Sequence, residues 1–274
     1  MAFTFRDYLK MEKLPNMWCP GCSDGIVMRA IAEALAELEL PREQVVIATG
    51  IGCWGKADDY FATHAFHGTH GRALAYATGI KLANPELHVL VLMGDGDAVT
   101  IGGNHFIHAA RRNVDLTAIV INNFNYGMTG GQYSATTPMA ARTTTSPRGV
   151  AETGFDVSAL AVVSGANFVA RTTAYHVNSL RRYIVQAIRK KGFSMVEVMS
   201  ACPTYFGRYN GHSPAVNMMN YLKQLVVPQS SYEALPDEER EKHFPSGILA
   251  NRDKPDFLTL YQRYNYRENQ GGEV

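Results

Sequence analysis

Residues 89–100 read VLVLMGDGDAVT, five apolar residues running into two glycines that alternate with two aspartates. A short, unbroken apolar run suits a strand covered on both faces, as in parallel sheets flanked by helices. Upstream, GRALAYATGIKLAN (71–84) has the pattern of a helix halted by Pro85, and VVIATG (45–50) that of a second buried strand. Before it, in SDGIVMRAIAEALAELEL (23–40), Ile26, Val27, Ala30, Ile31, Ala34, Leu35 and Leu38 recur at helical spacing until Pro41. Downstream come a helix around NHFIHAARRN (104–113), the strand LTAIVIN (116–122), a break at NNFNYGMTGGQ (122–132), then VSALAVVSGA (157–166) and NFVAR (167–171). The helix VNSLRRYIVQAIRKKG (177–192) and the strand SMVEVMS (194–200) close the series. Strands alternating with helices predict an α/β fold with a doubly wound, mainly parallel sheet.

Composition narrows the function classes. The 274 residues, 46% hydrophobic, carry a formal charge of +1 from interspersed acids and bases, with no basic stripe to attract nucleic acid. No run of about 18 apolar residues appears, so a membrane span is not expected. The start MAFTFRDYLKMEKL lacks a secretory layout, which predicts a cytoplasmic protein. After about residue 205 the chain turns rich in Asn, Tyr, Pro and charge. The expectation is a main domain over 1–204 and an arm over 205–274, without sheet grammar, that packs on a partner subunit.

In doubly wound sheets ligands bind beyond the carboxyl ends of the strands. There this chain has IGCW after the first strand, GDGD after VLVLM, NNFNYGMTGG after LTAIVI and ACP after SMVEVMS. Gly94 and Gly96 permit a tight turn and a close approach of backbone N–H groups to a phosphate, and Asp95 offers a hard oxygen ligand. Asn123, ending the next strand, and the carbonyl of Asn125 would complete a magnesium site. Either short motif alone reads more readily as a strand-to-helix turn or a loop. Together, at consecutive strand ends, they resemble the diphosphate-binding signature of thiamine diphosphate enzymes.

The four cysteines are too few for a disulfide scaffold in a chain this long, so their positions matter. Cys19 and Cys22 form a C-x-x-C just before the first helix; Cys53 and Cys202 follow two strands at the edge expected to hold the magnesium. A set of four thiolates suits a [4Fe–4S] cluster or a structural zinc, and buried structural cysteines are the third reading. Zinc ribbons use two C-x-x-C knuckles where this chain has one, and Pro203 follows Cys202 as a proline follows the last cysteine of many ferredoxin runs.

WCPGCSDG, GIGC, HGRALAYATGIKLANPELHVLVLMGDGDAVTIGGNHFIHAARRN, NNFNYGMTGGQ and VEVMSACPTYFGR together resemble the beta subunits of 2-oxoacid:ferredoxin oxidoreductases, over residues of about 15 to 210. The resemblance implies the diphosphate-binding half of a thiamine diphosphate enzyme with a [4Fe–4S] cluster beside the cofactor. The implied cluster ligands are Cys19, Cys22, Cys53 and Cys202, and the implied magnesium ligands Asp95, Asn123 and Asn125. The thiamine contacts would be Ile51, Gly52, Cys53, Trp54, Gly96, Asp97, Gly127 and Met128, with His70 facing the reactive region as a catalytic or polar contact.

The implied reaction is CoA-dependent oxidative decarboxylation of a 2-oxoacid, with electrons passing through the cluster to ferredoxin, or its reversal as reductive carboxylation. GMTGGQ resembles the 2-oxoglutarate-using branch, with pyruvate and other 2-oxoacids as alternatives. Thiamine enzymes take a glutamate from a pyrimidine-binding domain for which this chain has no room, so an alpha subunit is expected, in a dimer of αβ heterodimers. Two other readings compete: a non-redox thiamine enzyme fragment with Cys₄ zinc, and a binding module without catalysis. His64, His67 and His70, three apart, are expected in the loop before the helix rather than on a metal-binding face.

Overall fold

The computed structural model describes residues 3–265. Its strands are β1 (Val45–Thr49), β2 (His64–His67), β3 (His88–Gly94), β4 (Thr117–Asn122), β5 (Phe168–Thr173), β6 (Ser194–Met199), β7 (Val226–Pro228) and β8 (Phe244–Asn251). They form one sheet in the order β2-β1-β3-β4-β6-β5-β8-β7, parallel throughout except where β8 runs antiparallel to β5. Helices α1 (Asp24–Glu37) and α5 (Val177–Arg189) cover one face; α2 (Ala73–Ala83), α3 (Gly103–Arg112) and α4 (Val157–Val163) cover the other.

Alternation along the central strands explains the unbroken apolar runs. Leu90 and Leu92 of β3 pack with Ile119, Ile121, Val196 and Val198 under α1 and α5. Val91 and Met93, one residue out of phase, join Ala118, Val120 and Met195 under α2 and α3. Both faces of each strand are dry, so both must be apolar. The fold class expected from the sequence is therefore the one observed.

Two expectations need correction. His64 and His67 do not sit in a loop: His64–His67 is β2, an exposed edge strand paired with β1, and only His70 lies in the turn before α2. The segment after residue 205 does have strands, because β7 and β8 extend the sheet beyond β5. The signal was weak because these strands are only partly buried and never show a full apolar run. Before, between and after them lie α6 (Ala215–Leu225), the short helices α7 (Gln229–Glu233) and α8 (Asp237–Arg240), and α9 (Phe257–Asn265). No helix among the described residues is long and apolar enough to cross a membrane.

The attachment of β8 rests on a buried charge network. Arg171, fully buried, donates from Nε to Glu197 Oε2 at 2.8 Å and pairs with Asp156, while Ser158 Oγ donates to Glu197 Oε2 at 2.6 Å and Asn122 Nδ2 to Oε1 at 2.9 Å. The Arg171 guanidinium also lies 5.1 Å from the Phe244 ring of β8 and donates to the Pro245 carbonyl. Such a network carries its charges only because every partner is present.

Candidate cofactor and cluster site

Chain order and sheet order part company at β1: β2 lies to one side of it and β3 to the other. This is the switch point where a crevice opens beyond the strand ends. A cavity of about 100 Å³ lies there, lined by Ile51, Gly52, Cys53 and Trp54 after β1, Gly94 to Asp97 after β3, Asn123 and Asn125 to Thr129 after β4, and His70. All the residues expected to contact thiamine diphosphate and magnesium line this one cavity.

Local backbone shapes it. Gly52 has φ +118, a conformation that favours glycine, and a Cβ there would meet nothing within 4 Å, so the residue borders open space. After Asp95 the chain makes a π-type turn, Ile101 N–H donating to the Gly96 carbonyl at 3.1 Å, a feature that clusters at functional sites. Phe124 adopts φ 64, in the left-handed region, and so reverses the chain between Asn123 and Asn125; its ring is buried 5.1 Å from that of Phe206.

Asp95 is 2% exposed. Ser134 and Thr136 hydroxyls donate to its Oδ2 at 2.5 and 2.6 Å, and burial still pushes the carboxyl up to about 6, against the lowering effect of those bonds. One amide atom of Asn123 lies 3.1 Å from Asp95 Oδ1 and 2.7 Å from the Asn125 carbonyl oxygen. With nitrogen there, it donates to both. With oxygen there, its separations from the other two oxygens bracket the roughly 2.9 Å between neighbouring ligands of an octahedral Mg²⁺ with bonds of about 2.05 Å. The donor set fits that ion.

Behind this cavity lies a second, of about 220 Å³, lined by Cys19, Cys22, Cys53 and Cys202 together with Met17, Trp18, Thr204 and Tyr205. Cys53, Asn123, Gly127 and Met128 line both cavities. The C-x-x-C is carried by the entry to α1, where Ser23 does not cap the helix. Its Oγ instead accepts from Ala201 N–H at 2.7 Å and lies 2.8 Å from Ser200 Oγ, which draws Cys22 and Cys202 to one place. Trp18 Nε1 donates to the Cys53 carbonyl at 2.7 Å. Burial, aided by Asp24, pushes the Cys53 thiol up to about 12 and raises Cys22 further, so both stay protonated until a metal displaces the protons. Among the described residues no three His, Cys, Asp or Glu side chains gather closely enough to hold a single metal ion.

Comparisons with known proteins give the family. Residues 31–198 match the family model of the thiamine pyrophosphate enzyme C-terminal TPP binding domain. The 2-oxoglutarate synthase subunit KorB of Methanocaldococcus jannaschii is 43% identical over 251 residues, 92% of this chain and 93% of that one. The protein of the same name from Archaeoglobus fulgidus is 54% identical over 205 residues, covering 75% and 76%. The chain belongs to the beta subunits of 2-oxoacid:ferredoxin oxidoreductases. In structure it superposes with a TM-score of 0.85 and 30% identity on the 2-oxoglutarate:ferredoxin oxidoreductase of Magnetococcus marinus, solved with 2-oxoglutarate, coenzyme A and succinyl-CoA bound, over 99% of this chain and 92% of that one.

Within this beta subunit, several site residues carry no signal in the linear motifs. Tyr126 lines the first cavity, and a Cβ on Gly96 would come within 2.3 Å of its ring, so Gly96 is the residue that admits it. Ser134 and Thr136 lie in the polar run SATTP, and the density of hydroxyls there was the available clue. Trp54 is 2% exposed and packs 5.8 Å from Trp18, which makes it as much a core residue as a cavity wall.

Proposed function

We propose that this chain is the beta subunit of a 2-oxoglutarate:ferredoxin oxidoreductase, which converts 2-oxoglutarate and coenzyme A to succinyl-CoA and CO₂, passes the electrons to ferredoxin, and runs reversibly as a reductive carboxylase. The observation that carries this reading is the wall shared by the two cavities. Cys53, Asn123, Gly127 and Met128 stand between the diphosphate cradle and the chamber of four cysteines, so the two centres would be close neighbours.

In this reading Asp95, Asn123 and the Asn125 carbonyl hold Mg²⁺ and through it the diphosphate. Ile51 to Trp54, Gly96, Asp97, Gly127 and Met128 enclose the cofactor, and His70 faces its reactive side. Cys19, Cys22, Cys53 and Cys202 hold a [4Fe–4S] cluster; thiols arrayed around a volume suit it better than one zinc about 2.3 Å from each sulfur. When bound, thiamine diphosphate supplies the carbon nucleophile and electron sink for decarboxylation, and the cluster supplies one-electron steps. The protein's own contribution is placement. Ser134 and Thr136 aim the Asp95 carboxylate, and Gly52, with φ +118, turns the chain at the cavity wall.

An alpha subunit would bring the pyrimidine-binding domain and its glutamate. Ile51 and Met128, 40% and 45% exposed at the cavity rim, suit coverage by that partner. The region beyond residue 205, anchored through β8, would pack on it as well, in a dimer of αβ heterodimers held in the reducing cytoplasm. The similarity to 2-oxoglutarate-named relatives across nearly the whole chain supports this substrate over pyruvate.

The test is anaerobic co-purification with the alpha subunit, assays of iron, acid-labile sulfide and zinc, and reduction of a one-electron dye on addition of 2-oxoglutarate and coenzyme A. About four iron and four sulfide per chain, with dye reduction that needs both subunits, supports the reading. Zinc without iron, or no reduction with any 2-oxoacid, overturns it.

A further inference from the structure

The Asp97 carboxylate, at the wall of the cofactor cavity, is bound to a histidine. Its side chain is 1% exposed, and Oδ1 lies 2.6 Å from His70 Nδ1, 2.6 Å from Gly71 N and 3.4 Å from Ile51 N. Two backbone N–H groups already donate to this oxygen. The oxygen is thus held as an acceptor, and His70 Nδ1 is the donor to it. The other oxygen, Oδ2, has no hydrogen-bond partner and is pressed against Gly50, where a Cβ would come within 2.1 Å of it. Gly50 therefore leaves the room that this carboxylate occupies.

His70 is 31% exposed and packs edge-on to the Tyr126 ring at 5.9 Å. It lines the cofactor cavity and also a larger one of about 600 Å³, whose other walls include Thr100, Tyr126, Gln132, Tyr133 and Glu152. The imidazole thus stands where the two spaces meet. Because Nδ1 is tied to Asp97, Nε2 is left as an acceptor at that junction.

We propose that Asp97 is a positioning residue that fixes His70 in the Nδ1–H tautomer, and that His70 Nε2 is thereby the acceptor and proton-carrying atom facing substrate at the mouth of the cofactor cavity. This rests on the proposed thiamine-dependent reaction, and it assigns Asp97 a role other than direct contact with the cofactor. One oxygen holds two loops and the ring together: Ile51 after β1, and His70–Gly71 before α2. The arrangement is that of an acid–base histidine oriented by a buried carboxylate.

The first measurement is the tautomer in the intact complex, by magic-angle-spinning ¹⁵N spectra with histidine labelled only in this chain and the His70 signal assigned by its loss in His70→Gln. A protonated Nδ1 and bare Nε2 are expected, and an Nε2–H tautomer would overturn the proposal. The second is a double-mutant cycle on turnover. Asp97→Asn, which keeps the acceptor and removes the charge, should lower kcat by about 100-fold with KM for 2-oxoglutarate little changed. His70→Gln should lose at least as much, and the double variant no more than His70→Gln alone. Multiplying losses would show that Asp97 acts independently of His70 and sink the idea. If the wild-type complex turns over no 2-oxoacid, the functional reading fails, while the tautomer still decides the Asp97–His70 relationship.

Discussion

Gly127 lies so close to Cys53 that a Cβ on it would stand 3.2 Å from the Cys53 sulfur and 3.9 Å from that of Cys202. A side chain at this glycine, in the wall between the two cavities, would intrude on the chamber lined by the four cysteines. Gly127→Ala should fold, since its backbone conformation is open to other residues, but lose at least half its iron and sulfide per chain after anaerobic purification. Full iron content in that variant would show that the cluster does not use this space.

The buried carboxyl of Asp95 links magnesium to pH. Its position near 6 in the folded chain, above the usual 3.8, means that the folded form binds a proton more readily than the unfolded form. This group's share of stability is therefore full below about pH 4 and lost as pH rises through about 6. On the proposed function, Mg²⁺ with thiamine diphosphate would reverse the trend, because it would bind only the ionised form. Thermal shifts on adding both should be larger at pH 7.5 than at pH 5.5, and Asp95→Asn should abolish the difference.

The Arg171 network predicts a stability effect remote from the chemistry. Glu197→Ala leaves Arg171, Ser158 and Asn122 without their shared acceptor in a dry layer between β5 and β6. A loss of about 3 kcal/mol is expected from urea denaturation, since the buried guanidinium keeps only its pairing with the part-exposed Asp156, and Ser158 and Asn122 lose their acceptor. Replacing Glu197 and Arg171 together with apolar residues of similar volume should cost less than Glu197→Ala alone. The opposite ranking would show that the pair is worth more than its desolvation.

The cysteines should label in a set order before the cluster is loaded. Cys19 is exposed, while burial raises Cys22 and Cys53 and so lowers their thiolate fraction. Timed iodoacetamide treatment at pH 7.5, read by peptide mass spectrometry, should modify Cys19 first and Cys22 and Cys53 slowly. Loaded protein should resist at all four positions.

What the sequence determined by itself was local. Uninterrupted apolar runs, helical periodicity and glycine at strand ends depend on neighbours a few residues away, so the α/β order, the GDG and NN strand ends and the four cysteine positions were all legible. The tertiary structure decided what depends on partners far apart in the chain. Asp97 meets His70 across 27 residues, Asp95 meets Ser134 and Thr136 across 39 and 41, and Ser23 meets Ser200 across 177. A buried polar group takes whichever donor the fold carries to it, and that choice leaves no periodic trace. For the same reason β2 and β8 were missed: an exposed edge strand and a half-buried one are held by backbone pairing with β1 and β5, which any side chain permits.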